Sequence, residues 1–459
     1  MPTGKTPGKE RPRRRRSATT AAGRGRAKVR RTARPPAPGP QVAAAPPVGP
    51  PLEAYLELER TLYLVRDALE NSDSFDDLLT ELARHNMPEG RVAQVADLNL
   101  EGDLHVHSNA SDGKLPPRKL PWLARVLGLR SVALTDHDSV AGCREAFREG
   151  MLLGVQVMPG VELSTEQPGL EILAYFPDAG KFFGFLATSR AARLRQVLER
   201  RQGEIHQKSL ACLEHVNAWL RRQKVPVDRL ITLEEYDRWF EGQKPYFPGT
   251  LCVLGLERLS ESERTRLKIH DPRAFNTRVV TPILERLAQK GPAGKKRPSR
   301  LNESLALVAA AVKAGVPAAT ILAHPKELVT KGGMSLGAVR KLVRQLAEER
   351  GLDGIEVNCA RDNEDDSRYW CDIVREYNAE ALAAGRKPLL AASHSSDFHV
   401  LGPGLATGEI TMGFGLLDSR PQFRRGNLRP QMALDEFLEQ LQRRACENVQ
   451  AAGGAVESD

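Results

Sequence analysis

The sequence predicts an α/β fold in which about seven short, parallel strands alternate with helices and form a barrel. The first observation behind this prediction is that short apolar runs alternate with stretches of helical periodicity, as in strands joined by crossover helices. The second is that several runs end in His, Asp or Glu, and barrels of this class carry their active sites at the C-terminal strand ends. The runs cover residues 102–107, 131–135, 155–161, 171–176, 320–323, 354–358 and 389–392.

The chain begins with a basic segment that we expect to be disordered. Residues 1–40 hold 13 Lys and Arg and one acid, so they carry +12; because the whole chain of 459 residues carries +9, the rest carries −3. Rich in Pro, Gly, Ala and Thr, the segment offers too little apolar surface to offset its ordering entropy. Such an arm can hold nucleic acid without sequence preference, or it can remain a solvated tail without a fixed partner.

Apolar periodicity predicts the helices and the domain boundaries. We expect the tail at 1–50, a helical preface of two short helices at 51–99, the barrel in two parts at 100–178 and 301–410, and a C-terminal helix and tail at 411–459. Residues 179–300 form a largely helical insertion, in which apolar residues from Leu194 to Leu220 follow one face of a long helix. The insertion's arginines either match phosphate groups or solvate its outer face.

Composition also limits the class of protein. Six scattered cysteines without a C-x-x-C pair argue against a disulfide framework or a structural zinc site, and favour a reducing, cytoplasmic compartment. No run of 18 apolar residues occurs, so we expect no transmembrane helix and no membrane partner. The basic segment lacks the apolar stretch of a signal peptide; its arginines fit a transit peptide, although its prolines oppose an amphipathic helix.

The first run of the barrel carries a pair of candidate metal ligands. His105 and His107 are two residues apart, and residues i and i+2 of a strand point to the same face. Neutral imidazole is the commonest protein ligand for transition metals. An H-x-H pair alone is equally compatible with two ordinary polar histidines near a strand end.

The later strand ends strengthen the metal hypothesis. Five of the ten histidines and three carboxylates stand at or just past the ends of the runs, a mixed set without thiolate that suits Zn²⁺, Mn²⁺ or Fe²⁺. Eight ligands exceed the needs of one ion, so we expect two or three metals and assign the same eight residues to catalysis. They are His105, His107, Asp112, His137, Glu162, His324, Asp397 and His399.

The motifs around these residues resemble the PHP (polymerase and histidinol phosphatase) superfamily over about 100–178 and 301–405. The matching motifs are D-L-H-V-H-S with S-D-G, G-L-R-S-V-A-L-T-D-H-D, G-V-Q-V-M-P-G-V-E-L-S, A-H-P, G-L-D-G-I-E-V-N and S-S-D-F-H. The resemblance implies a distorted (β/α)₇ barrel with three metals. It implies a first metal on His105, His107, Glu162 and Asp397, a second on Glu162 and His324, and a third on Asp112, His137 and His399.

Two positions depart from the family pattern. Glu171 stands where the family usually has the histidine of an H-x-L-G-Y strand. It can act as a metal ligand and favour a harder ion such as Mn²⁺, the reading we prefer, or it can form a salt bridge while the second metal site weakens. His394 is either a hydrogen-bond donor to a ligand or, as we expect, an ordinary loop histidine with its bonds satisfied.

The sequence therefore predicts a metal-dependent phosphoesterase whose partners are phosphorylated small molecules or nucleotides. The stand-alone members of the family that this chain resembles imply a 3′,5′-nucleoside bisphosphate or the 5′ end of short RNA as substrate. One alternative is a phosphatase for a small metabolite such as histidinol phosphate. A second is a nucleic-acid-associated protein that has a degenerate barrel and binds through the basic tail. The oligomeric state cannot be read from the sequence.

Overall fold

The protein was analysed as a computed structural model that describes residues 52–96, 101–240, 245–289, 299–359, 362–399 and 432–453. The basic tail, the basic loop at 291–298 and the chain after residue 453 lie outside the described residues. In the described part of the chain, no helix is both long and apolar enough to cross a membrane.

Seven strands form one sheet whose spatial order follows the chain, β1-β2-β3-β4-β5-β6-β7. Each predicted run overlaps one strand, although β3 and β5 extend beyond their runs, and this confirms the predicted α/β fold. The strands are β1 (Gly102–Val106), β2 (Ser131–Leu134), β3 (Gln156–Ser164), β4 (Glu171–Tyr175), β5 (Ala319–Leu322), β6 (Gly354–Glu356) and β7 (Leu390–Ala392).

Strand β4 corrects the prediction of an all-parallel sheet. It runs antiparallel to both β3 and β5, whereas the other neighbouring strands are parallel. Residues 165–170 alone connect β3 to β4, and a parallel connection needs a crossover of a dozen residues or more. The short connection therefore reverses the strand, and Glu171 at the start of β4 pairs with Ser164 at the end of β3.

Backbone hydrogen bonds bring the two ends of the sheet together. The Leu104 amide donates to the carbonyl of His394 at 2.6 Å, and the His107 amide donates to the carbonyl of Phe398 at 2.8 Å. The Phe398 amide donates in return to the carbonyl of His105 at 3.2 Å. The segment after β7 thus lies beside β1, which places residues 397–399 next to His105 and His107.

Helices surround the sheet and form most of the insertion. They are α1 (Leu52–Asn71), α2 (Phe75–Arg84), α3 (Glu89–Ala96), α4 (Lys119–Leu127), α5 (Cys143–Leu153), α6 (Ala179–Leu186), α7 (Ala192–Arg222), α8 (Leu233–Trp239), α9 (Thr250–Glu257), α10 (Glu261–Leu267), α11 (Pro272–Phe275), α12 (Thr281–Gln289), α13 (Arg300–Lys313), α14 (Lys326–Thr330), α15 (Leu336–Arg350), α16 (Glu364–Ala383) and α17 (Leu434–Ala451).

Local sequence explains several helix ends. Ser74 caps α2 by accepting a hydrogen bond from the Asp77 amide at 3.1 Å, and the Asp77 side chain accepts from the Ser74 amide in return. Gly128, at φ 81°, ends α4 in the left-handed conformation that glycine adopts without strain. The preface contains three helices rather than the two predicted. The third, α3, lies against α4 of the barrel.

Helix α17 closes the N-terminal end of the barrel. Its apolar face (Leu434, Phe437, Leu441 and Ala445) joins a buried cluster with inward-facing strand residues such as Leu104 and Ile321. The Arg444 guanidinium donates to the carbonyl of Pro388, just before β7, at 2.6 Å. The C-terminal strand ends, where the candidate ligands stand, therefore lie at the opposite end.

The insertion has an apolar core of its own. Helix α7 spans 31 residues where the periodicity predicts a long helix, and its second half packs with α9 and α12. The buried residues of this cluster include Cys212, Val216, Phe240 and Phe275. The first half of α7 instead packs with the core of the barrel through Leu194 and Leu198. One helix therefore contributes to the core of the barrel and to the core of the insertion.

Candidate metal centre

The structure brings all nine candidate ligands to one end of the sheet, where the parallel strands end and the antiparallel β4 begins. His105, His107 and Glu162 are completely buried, and His324 and Asp397 nearly so. The four others (Asp112, His137, Glu171 and His399) retain between 17% and 25% of their side-chain exposure, and Asp112, His137 and Glu171 line the cleft above.

Glu162 lies at the centre of the cluster. Its Oε2 atom is 3.1 Å from His105 Nε2, 3.2 Å from His107 Nε2 and 3.3 Å from His137 Nδ1. Its Oε1 atom is 2.9 Å from His324 Nε2. One carboxylate therefore faces four imidazoles, a position from which it can bridge neighbouring metal ions.

Asp397 stands beside Glu162 in a backbone conformation that is uncommon for its residue type. Its Oδ1 atom is 3.2 Å from His107 Nε2 and 3.5 Å from His105 Nε2. Asp397 has φ 59° and His324 has φ 24°, and residues other than glycine rarely have a positive φ. Such strain clusters at functional sites, where the surrounding structure compensates for it.

A second group lies toward the cleft around Asp112. Its Oδ1 atom is 3.3 Å from His399 Nε2 and 3.6 Å from His107 Nδ1, and its Oδ2 atom is 3.7 Å from His137 Nε2. Gly113 makes this turn possible, because a Cβ there would lie 2.3 Å from the carbonyl oxygen of His107. The S-D-G motif thus sets Asp112 against the histidine strand.

The ligand atoms group differently from the sets that the family resemblance implies. Potential ligand atoms of His105, Glu162, His324 and Asp397 lie within 4.8 Å of one another, as do those of His107, Asp112, His137 and His399. His107 thus groups with the cleft-side set, and His324 joins the buried one. Since His107 Nε2 is also 3.2 Å from Glu162, it lies between the two sets.

Glu171 occupies the cluster, although the family usually has histidine there. Its Oε2 atom is 3.4 Å from His324 Nε2, and its Oε1 atom is 3.8 Å from His137 Nδ1. Within the described residues its ion pairs are with these two histidines and with no arginine. The geometry therefore favours a role in the cluster over a salt bridge to the insertion.

The donors fit divalent transition metals. Burial disfavours a charged imidazole, but the negative charge of Glu162 and Glu356 outweighs it and raises the pKa of His105 well above its usual value. Burial likewise opposes ionisation of Glu162, yet His137 and His105 hold its pKa well below the usual range. His137 Nδ1 is buried and has no hydrogen-bond partner, as expected of a nitrogen that would bind a metal ion. Five imidazoles with carboxylates and no thiolate suit Zn²⁺, Mn²⁺ or Fe²⁺.

Sequence reasoning missed three buried carboxylates that hold the ligands in place. Glu356 on β6 lies with Oε1 2.9 Å from His105 Nδ1, and its Oε2 accepts a hydrogen bond from the His324 amide at 2.6 Å. Asp136 accepts from the Ser108 amide at 2.7 Å, and Asp103 accepts from the amide of Ser396 at 3.0 Å. All three stand inside the quoted motifs, which was the available signal. Carboxylates that orient metal-binding histidines are common partners of metal sites.

His394 lies away from the ligands and is not a satisfied loop histidine. Its ring centroid is 6.1 Å from that of Phe437 on α17, at the N-terminal end of the barrel. Its Nδ1 atom is buried without a hydrogen-bond partner, and burial lowers the pKa of His394 to about 4. We therefore expect it to be neutral and to act as part of the apolar packing.

A cleft of about 1210 Å³ opens above the cluster, between the barrel and the insertion. Asp112, His137 and Glu171 line its floor, and residues of α7, α12 and the 247–249 loop line its walls. The ring of Phe247 stacks on that of His137 with centroids 6.3 Å apart. The insertion therefore covers the candidate metal centre and leaves a passage to it.

Comparison with known proteins finds a family similarity in the first part of the barrel and in part of the insertion. Residues 103–252 match the PHP domain. The chain is 37% identical over 101 residues to a 5′-3′ exoribonuclease of Haemophilus influenzae, covering 21% of this chain and 37% of that protein. It is 40% identical over 63 residues to a 3′,5′-nucleoside bisphosphate phosphatase of Chromobacterium violaceum, covering 14% and 22%.

The alignments to curated relatives are partial. The chain spans less than two fifths of the length of the two relatives named above. A solved amidohydrolase structure from Chromobacterium violaceum is 21% identical with a TM-score of 0.45, covering 74% of this chain and 96% of that one. The family match includes five of the candidate ligands up to Glu162, together with Glu171. Residues 103–252 are therefore similar to the PHP domain.

Proposed function

We propose that this chain is a metal-dependent phosphoesterase that hydrolyses phosphate esters of nucleotides. The observation that carries the proposal is the convergence of five histidines and four carboxylates around Glu162 at the C-terminal end of the barrel. Active sites of barrel enzymes lie at this end. The names of the relatives, which act on RNA and on nucleoside bisphosphates, support the reaction class.

The nine residues named above would hold two or three divalent ions, Mn²⁺, Zn²⁺ or Fe²⁺. When bound, such ions lower the pKa of water and neutralise charge on phosphoryl oxygens. The buried set around His105 and His324 is closed to solvent, so its part is to hold the ions rigidly. Asp112, His137 and Glu171 line the cleft, so they form the part of the cluster that a substrate can reach.

The insertion contributes by shaping the approach to the site. Phe247 covers one face of His137 and limits the water around the reacting phosphate. Basic side chains of α7 and α13, among them Arg201, Lys208 and Arg300, line the cleft and suit an anionic substrate. The cleft is large enough for a nucleotide, which favours nucleotides over a smaller phosphorylated metabolite.

Elemental analysis together with phosphate release tests the proposal. We expect purified protein to contain more than one transition-metal ion per chain. We also expect it to release phosphate or nucleotides from a panel of nucleoside bisphosphates, mononucleotides, 5′-phosphorylated oligonucleotides and histidinol phosphate. A chelator should abolish the activity, and Mn²⁺ or Zn²⁺ should restore it. Protein that contains no metal, or that hydrolyses nothing in the panel with metal added, contradicts the proposal.

A further inference from the structure

Helix α7 reaches from the candidate metal centre into the insertion. Arg201, near its start, donates to Asp138 Oδ1 at 2.8 Å and to the carbonyl of Ser164 at 3.3 Å. Asp138 follows His137 in the chain, and Ser164 is two residues after Glu162. The buried guanidinium of Arg201 therefore fixes this part of α7 against the loops that carry two candidate ligands.

One face of α7 lines the cleft and extends away from the candidate metal centre. Arg201, Glu204, Lys208 and Ala211 all line the cleft, at positions i, i+3, i+7 and i+10 of the helix. At 1.5 Å per residue, Lys208 stands about 10 Å along the helix axis from Arg201. That distance is on the scale of one nucleotide, so a single ligand can touch both ends of the cleft.

Most cations of the cleft are already paired with carboxylates. Arg200 contacts Glu303 at 2.6 Å, Arg201 contacts Asp138 at 2.8 Å, and Arg300 forms an ion pair with Glu204. Lys331 contacts Glu327 at 2.5 Å. The charges of these four side chains are thus largely balanced within the protein.

Lys208 differs from them, because it forms no ion pair within the described residues although its side chain is half-buried. Burial lowers the pKa of Lys208, and the positive charge of Arg300 lowers it further. Such a half-buried ammonium group is unfavourable until an anion joins it. The walls nearby are apolar and include Phe247, Leu284 and Leu287, which suits the sugar and base of a nucleotide.

We propose that Lys208 forms a subsite for a second phosphate group of the substrate. The subsite lies in the cleft away from the metals, so the scissile phosphate occupies the metal centre while the second phosphate binds the insertion. This inference rests on the proposed function and names the feature that selects its substrate. The second phosphate belongs either to the other end of a nucleoside bisphosphate or to the next nucleotide of an RNA.

Kinetics of Lys208→Met on the full, metal-loaded chain test this subsite. The substrates are adenosine 3′,5′-bisphosphate, the two corresponding monophosphates and a 5′-phosphorylated dinucleotide. Loss of a charged hydrogen bond should raise the KM for the bisphosphate by roughly tenfold or more and leave the KM of the monophosphates within about twofold. Lys208→Arg should retain most of the wild-type preference, and Lys341→Met, which removes an exposed lysine of α15 outside the cleft, should change nothing.

The outcomes separate the two sources of the phosphate. If the KM rises for the bisphosphate alone, the subsite binds the terminal phosphate of a bisphosphate. If the KM rises for the dinucleotide as well, the subsite also binds the phosphate of the next nucleotide of an RNA. Equal changes for bisphosphate and monophosphates, or no change for any substrate, overturn the subsite. Lys208→Gln replaces the methionine variant if the latter does not fold. If the wild type hydrolyses no ester, the proposed function fails, and calorimetric binding of bisphosphate and monophosphate to the same variants still tests the subsite.

Discussion

The two ends of the barrel each bury a carboxylate, and the two are satisfied in opposite ways. At the N-terminal end, Asp353 accepts hydrogen bonds from the Thr320 amide at 2.9 Å and from Asn448 Nδ2 at 3.0 Å, and Arg444 neutralises it. At the C-terminal end, Glu162 faces four imidazoles, and imidazole is the commonest metal ligand in proteins. A carboxylate held by hydrogen-bond donors and a cation is typical of a structural role. A carboxylate surrounded by imidazoles is typical of a metal-binding role.

The largest expected effect is that of Glu162→Gln, which removes the central charge of the cluster. We expect metal content to fall and phosphoesterase activity to drop by at least about a thousandfold, because the ions would lose their shared ligand. Elemental analysis and turnover of the same preparation measure both. Asp353→Asn is the matched control at the other end, and it should leave metal content intact. Wild-type metal content in Glu162→Gln would remove Glu162 from the centre.

Next in size is the effect of Arg444→Met on stability. Removing Arg444 leaves the buried charge of Asp353 with its hydrogen bonds but without its cation, which costs about 3 kcal/mol of the free energy of unfolding. Thermal unfolding should show a lower Tm, while activity per folded molecule stays near that of the wild type. A loss of metal ions at temperatures where the variant is folded would mean that the two barrel ends are coupled.

Glu356→Gln should have an intermediate effect, confined to metal affinity. The side-chain oxygen of glutamine can accept a hydrogen bond from His105 Nδ1. Its NH₂ group then faces the backbone N–H of His324, and two donors cannot form a hydrogen bond with each other. Competition with a chelator should show metal binding weaker by about 10- to 100-fold with little change in Tm. Glu376→Gln, which alters an exposed ion pair with Arg340, is the control. Unchanged affinity would mean that His105 keeps its orientation without Glu356.

Changes at Glu171 should be smaller and should alter metal preference. Glu171→Ala should remove one ion and lower activity on the order of tenfold, whereas Glu145→Ala on the exposed face of α5 should not. With the native carboxylate Mn²⁺ should outperform Zn²⁺, and Glu171→His should shift the preference toward Zn²⁺. Metal counts for Glu171→Ala that equal those of the wild type would show that Glu171 is not a ligand.

The smallest expected effect on turnover is that of deleting residues 1–50. Hydrolysis of a small substrate should be unchanged, since the candidate catalytic residues all lie after residue 100. Binding to long nucleic acid should weaken and lose much of its salt dependence, because the excess positive charge lies in this segment. A salt slope that is the same with and without the tail would exclude the tail as the electrostatic contact.

Local patterns in the sequence were enough to find the strands and the residues at their ends. Each of the seven strands overlaps a predicted run, and the nine candidate ligands chosen at or near the run ends lie together in the structure. A residue's place at a strand end is a local property, and parallel strands bring such ends to one edge. This is why histidines as distant in the chain as His105 and His399 could be predicted to meet.

Features that depend on pairing between distant segments escaped prediction. The direction of β4 follows from the length of its connection to β3, which alternation of strand and helix does not reveal. In the sequence, nothing distinguishes Glu356 from an ordinary strand residue. In the fold, its Oε1 atom lies 2.9 Å from His105 Nδ1. The unsatisfied ring of His394 is explained only by α17, a helix about forty residues further along that covers the N-terminal end. Tertiary contacts decide these features, and periodicity does not encode them.

The join between β1 and the segment after β7 has a consequence for how the protein matures. Asp103 bonds Ser396 across a separation of 293 residues, and His105 contacts Glu356 across 251. During synthesis the first histidines leave the ribosome long before Asp397 and His399, and the whole insertion emerges between them. Contacts of such high sequence separation form slowly, because the closure entropy of the intervening chain must be overcome first. We therefore expect the nascent chain to hold no complete metal centre until the barrel has closed, which makes metal loading one of the last steps of its biogenesis.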